Sequence, residues 1–217
     1  MLLLLAASGC GTRGGVAGTL TSTDVLLIHH HIRSHYRCLH EFCRRLYRKN
    51  PKYEPDPEKR RYKLEQVFIE RRPPGTPYDD RPSHEILTAA FSADPGFSDR
   101  VLLLALGLRK SIDEGYGRQG PNDDTALLTS LQVSLERLQR LYSNLSQVNW
   151  RLKVYHDTGG KLLFLTNACG PDGRLNMGYE VLMTEVLTRI ADDIYIRGGN
   201  PPHVIFRMST MFLSLFI

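Results

Sequence analysis

The stretch Leu128-Thr-Ser-Leu131-Gln-Val-Ser-Leu135-Glu-Arg-Leu138-Gln-Arg-Leu-Tyr142-Ser-Asn-Leu145-Ser-Gln-Val-Asn149-Trp-Arg-Leu152 decides the fold. The numbered residues alternate steps of three and four without a break. That period belongs to a helix with one buried face, not to a strand. Leu127, Leu141, Val148 and Tyr155 widen the apolar seam beyond what a two-stranded coiled coil needs, so the helix fits a globular bundle. The pattern predicts one long central helix over about 125–156, roughly 45 Å long at 1.5 Å per residue. Asn149 lies on this seam, so it needs a buried hydrogen-bond partner or faces a polar pocket.

Outward from that segment the same period recurs. Val25, Ile28, Ile32, Tyr36, Leu39, Cys43 and Leu46 predict a first helix over about 23–47. Asp56 followed by Pro57 reads as the cap and first residue of a second helix reaching about Ile69. Ser83 caps a short helix to about Phe91, and Ser98 caps another over Asp99–Glu114. The latter is apolar on nearly every side at Val101–Leu108, which places it mid-bundle. Tyr179, Met183, Val186, Ile190 and Ile194 mark a helix ending near Arg197, and Pro201-Pro202 reads as the start of one more. Lys161–Thr166 and Arg174–Met177 flank Gly170-Pro-Asp-Gly173 and predict a small β-hairpin over about 161–177. The fold class is therefore all-α: a multi-helix bundle of six to seven helices with that hairpin as an excursion.

Composition agrees with one globular domain. Of 217 residues, 41% are hydrophobic and 24% charged, and no apolar run reaches the length of a membrane span. The net charge of +5 is concentrated, since residues 44–72 hold 11 Lys/Arg against 5 Asp/Glu. Within that segment Arg44, Arg45, Arg48, Lys49, Lys59, Arg60, Arg61 and Lys63 form a candidate interaction surface for an anionic partner. The segment lacks the aromatic interleaving of RNA-binding modules, so nucleic acid is not the expected partner.

The first dozen residues carry a signal of another kind. Leu2–Leu5 is apolar, and Ala7-Ser8-Gly9-Cys10 follows. This resembles the signal peptide and lipobox of bacterial lipoproteins. The resemblance implies that residues 1–9 are removed and that Cys10 is the lipidation site, carrying diacylglycerol and a further acyl chain such as palmitate. It implies a tether over 10–21, with a single helical domain over 22–217. It also implies a place in the bacterial cell envelope, lipid-anchored, at the periplasmic face of the outer membrane because Gly11 follows the cysteine. The partners expected there are the membrane itself, through the anchor, and an envelope protein or glycan.

Two further groupings bear on chemistry. His31, His35 and Cys38 stand at i, i+4 and i+7 on one flank of the first helix, a spacing that could present two imidazoles and a thiolate to a metal ion. Cys38 and Cys43 are five residues apart, about 140° around a helix, and cannot easily bridge each other. Either one could pair with Cys169, or all three could be reduced and buried. Asp113-Glu114 and Asp192-Asp193 lie near helix C-termini, where negative charge is disfavoured. They read as solvated surface or as facing a partner such as an arginine. No P-loop, nucleophile elbow, metalloprotease helix or CxxC motif is present, so no catalytic residue is assigned and no cofactor is expected. The residues leave three functions open. The first is a non-enzymatic envelope lipoprotein acting as an interaction or scaffold domain. The second is a metal-binding or redox-responsive module using His31, His35 and Cys38. The third is a cytosolic nucleic-acid-binding protein using the basic 44–72 segment.

Overall fold

The computed structural model describes residues 23–94, 96–118, 133–166 and 177–216. Among the described residues there are six helices and no strand. They are α1 (Thr23–Lys49), α2 (Pro57–Phe68), α3 (Ser83–Phe91), α4 (Arg100–Gly115), α5 (Leu135–Val154) and α6 (Gly178–Ile196). None is long and apolar enough to cross a membrane.

α4 sits at the centre, packed against α1, α2, α3 and α5, while α6 closes the bundle against α1 and α5. Every residue from Val101 to Leu108 is buried, as a helix apolar on all sides requires. The whole predicted stripe of α1 is buried as well. Gly107 allows α3 to approach α4 closely, because a β-carbon there would lie 2.8 Å from Leu87 Cδ2 and 3.3 Å from the Leu87 backbone nitrogen.

Local chemistry sets the helix ends. Asp56 accepts hydrogen bonds from the Glu58 and Lys59 amides, with Pro57 in the first turn. Asp99, not Ser98, caps α4 by accepting from the Leu102 amide at 3.0 Å. Its second oxygen takes the Tyr47 hydroxyl and the Lys63 ammonium, each at 2.8 Å. Arg100 then reaches back to the carbonyls of Ala90, Ser92 and Ala93, satisfying the exposed end of α3.

Three expectations are corrected. The central helix begins at Leu135: Ser134 is extended and its hydroxyl accepts from the Arg137 amide, a helix start that the apolar period runs straight past. Residues 119–132 lie outside the described residues. The near arm of the expected hairpin is not a strand. Leu162 makes one isolated antiparallel bridge to His156, and the backbone beyond is taken by side chains instead. Tyr53 donates to the Leu163 carbonyl, while Asn50 donates to the Leu165 carbonyl and accepts from its amide. The turn and far arm, 167–176, fall outside the described residues.

Pro201-Pro202 starts no helix. Residues 197–216 instead run as an irregular strap across α5. The physical reason is a row of α5 side chains that replaces helical hydrogen bonding. Asn144 both donates to and accepts from Leu213 (2.8 and 2.7 Å), Arg140 donates to the Ser214 carbonyl, and Gln147 donates to that of Ile205. Arg151 donates to the Thr210 carbonyl and lies over the Phe212 ring at 4.2 Å. Phe212 and Leu215 are buried, which anchors the strap.

Candidate binding face and a buried polar chain

α1 runs for 27 residues, and its last two turns meet the first two of α2. Between them lies a hollow of about 260 Å³. Its floor is Tyr47 and Leu64, both buried, and its rim is Pro57, Arg44, Arg48, Arg60, Arg61 and His40. No carboxylate is among these lining residues. Four guanidinium groups thus converge on one concave face. Burial lowers the His40 pKa, so the positive charge of the hollow belongs to the arginines.

The acids nearby hold this geometry. Glu41 receives Arg44 through two hydrogen bonds and Arg45 through one, at 2.6–2.8 Å. The Arg44 contact above all, and then Arg45, hold its carboxyl down to about 2. Arg60 donates to the Glu54 and Pro55 carbonyls ahead of α2, and Arg61 pairs with Glu58. Arg48, Lys49 and Lys59 are exposed. Lys63, half-buried, turns towards Glu54 and Asp99 and ties them together. The sequence-predicted surface therefore divides: Arg44, Arg48, Arg60 and Arg61 share the hollow, Arg45 leans towards the Gly178 carbonyl, and Lys63 is a tie.

The histidine flank of α1 enters a buried hydrogen-bond chain. His31 Nδ1 donates to Asp193 at 2.8 Å. The other Asp193 oxygen accepts from the Tyr116 hydroxyl at 2.5 Å. His35 Nε2 meets the same hydroxyl at 3.0 Å. Because that hydroxyl gives its proton to Asp193, His35 must be the donor, which fixes it as the neutral Nε2–H tautomer. Its Nδ1 is buried with no hydrogen-bond partner. Burial, and after it the neighbouring His31 and Arg189, lower the His35 pKa to about 3. Desolvation together with Asp193 pushes the Tyr116 hydroxyl far up. The chain His31–Asp193–Tyr116–His35 thus ties α1, α6 and the end of α4 together.

Cys38 stands apart from this chain, with Sγ at 4.0 Å from Arg189, and burial raises its thiol pKa ahead of Glu185. His31, His35 and Cys38 do not converge, and among the described residues no three His, Cys, Asp or Glu side chains are placed to hold a metal. Cys43 is fully buried, which drives its thiol pKa up. Neither Cys38 nor Cys43 is bridged to a described residue. Cys10 and Cys169, and with them the lipidation site and the second half of each candidate disulfide, lie outside the described residues.

Asp193 is the residue that sequence reasoning missed. It stands three residues after Ile190 and one before Ile194, on the buried face of α6, and only 2% of it is exposed. Its place on the apolar stripe was the available signal. Asp113 likewise is not solvated surface, since it accepts from Arg109 and from the Tyr36 hydroxyl. Asn149 finds its partner in Glu180, to which it donates at 3.0 Å.

No protein-family model, no curated protein and no solved structure matches this chain.

Proposed function

We propose that this chain is a cell-envelope lipoprotein, anchored through Cys10, whose helical domain is a non-enzymatic docking module for an acidic envelope partner. The observation that carries the docking part is the α1/α2 hollow, where Arg44, Arg48, Arg60 and Arg61 ring an apolar floor without a lining carboxylate. Guanidinium forks suit the carboxylates of an acidic protein or of a glycan, and the apolar floor lets a partner side chain enter between them. The anchor part rests on the lipobox-like Ala7-Ser8-Gly9-Cys10.

The two parts are tested separately. Globomycin, which blocks lipoprotein signal cleavage, should cause a precursor to accumulate, and Cys10→Ser should move the protein out of the membrane fraction. For the docking face, purified protein is incubated with peptidoglycan sacculi and with acidic envelope fractions at graded salt. Arg44→Glu/Arg48→Glu should abolish sedimentation with the partner. Retention of binding by that variant contradicts the docking reading. Tight, salt-steep binding to duplex or single-stranded nucleic acid in preference to envelope material would favour the cytosolic alternative instead.

A further inference from the structure

The strap concentrates the exposed apolar surface of the domain. Among the described residues fourteen large apolar side chains are exposed, and six fall within 205–216: Ile205, Phe206, Met208, Met211, Leu213 and Phe216. Met211 is 75% exposed and Phe216 63%. A single exposed apolar residue is ordinary, but a run of six marks a surface that something covers.

α5 fixes this run in place. Gln147 takes the Ile205 carbonyl, Tyr155 that of Met208, Arg151 that of Thr210, and Asn144 both polar backbone groups of Leu213. Those four side chains span about 17 Å of helix at 1.5 Å per residue. Phe212 and Leu215 point into the core, so Met211, Leu213 and Phe216 beside them face outward.

Two features say what covers the run. The first is charge. Residues 194–217 contain Arg197 and Arg207 and no Asp or Glu, and the exposed Arg207 stands between Phe206 and Met208. At the other end Phe216 borders a cleft lined by five Arg/Lys and three Asp/Glu side chains. Apolar side chains interleaved with arginine suit an anionic bilayer: the apolar groups enter it while the guanidinium stays among lipid phosphates. The second is the aromatic pair beneath the run. Trp150 stacks on Phe206, and Tyr155 meets Trp150 edge-on with ring centroids 6.2 Å apart. Trp and Tyr favour the boundary between apolar and wet surroundings.

We propose that residues 205–216 form a membrane-surface face whose six exposed apolar side chains seat in an anionic bilayer. The contact is shallow, because an irregular backbone with amides to satisfy stays out of the hydrocarbon and only its side chains reach below the headgroups. The proposal does not rest on the anchor reading. The assay removes acylation with Cys10→Ser, and globomycin tests the anchor by itself.

The test is sedimentation of the full chain carrying Cys10→Ser with vesicles of equal parts phosphatidylcholine and phosphatidylglycerol. The protein should sediment with them. Trp150, the single tryptophan, should be quenched by acyl chains brominated close to the headgroup and much less by chains brominated near their ends. Met208→Ser/Met211→Ser, which changes only exposed side chains, should weaken binding about tenfold or more without moving the melting temperature. Arg207→Gln should weaken it about fivefold and leave binding to pure phosphatidylcholine unchanged. Arg48→Gln, in the α1/α2 hollow, should leave sedimentation and quenching as they are. Absence of vesicle binding overturns the proposal. So does equal binding by Met208→Ser/Met211→Ser, which would assign the contact to another part of the chain. A dimer in vesicle-free solution that Met208→Ser/Met211→Ser dissociates, with no lipid binding, would make the run an interface between copies and overturn the proposal as well.

Discussion

At the scale of single residues the decisive groups are the buried titratable ones. His35 has its pKa lowered from 6.5 to about 3, first by burial. The unfolded chain therefore binds this proton more readily than the folded one. Its contribution to stability is complete above the unfolded value of 6.5 and is lost as the pH falls towards about 3. The slope from this one ring approaches about 1.4 kcal/mol per pH unit. Urea unfolding at pH 7.5, 5.5 and 4.5 should show that loss, and His35→Gln, which keeps a donor towards Tyr116, should flatten it. An unchanged slope in His35→Gln would mean that the ring is solvated. Asp193→Asn should cost about 3 kcal/mol, since it removes the charge that two donors face in a buried site; a thermal melt measures it. This polar chain was invisible in sequence because its hydrogen-bonded partners are 77 to 162 residues apart and meet only in space.

Among the elements, legibility depended on period. α1 and α4 were readable because their apolar residues repeat at helical steps and bury accordingly, and α2 because Asp56-Pro57 is an explicit start signal. The start of α5 was not readable, because Leu128 and Leu131 extend the apolar period ahead of the Ser134 cap. The strap was misread for another reason. Its fold is dictated by Asn144, Gln147 and Arg151 on α5, and nothing in residues 201–216 themselves announces those partners. Asn144→Ala should therefore loosen the strap while leaving the helices intact. Trp150, the single tryptophan, stacks on Phe206 of the strap with ring centroids 5.9 Å apart. Its emission should shift to the red in Asn144→Ala with helical circular dichroism unchanged. The close pass of α3 over α4 gives a complementary test. Gly107→Val would drive methyl groups into Leu87 and should cost about 2 kcal/mol or more in chemical denaturation.

For the whole molecule, the bundle surrounds a buried apolar core and carries a cationic hollow on its surface. The predicted basic segment became a concave face only when α1 and α2 packed together, bringing Arg44 and Arg48 from one helix beside Arg60 and Arg61 from the other. Sequence placed the charge in one stretch; packing made it concave and turned Lys63 towards Glu54 and Asp99. The account of where this domain works rests on the sulfur of Cys10, and intact mass spectrometry of the protein isolated from a bacterial envelope tests it most directly. The expected species starts at Cys10 and carries the mass of a diacylglyceryl group, with or without a further acyl chain. A water-soluble species that retains Met1–Gly9 and an unmodified Cys10 would contradict it.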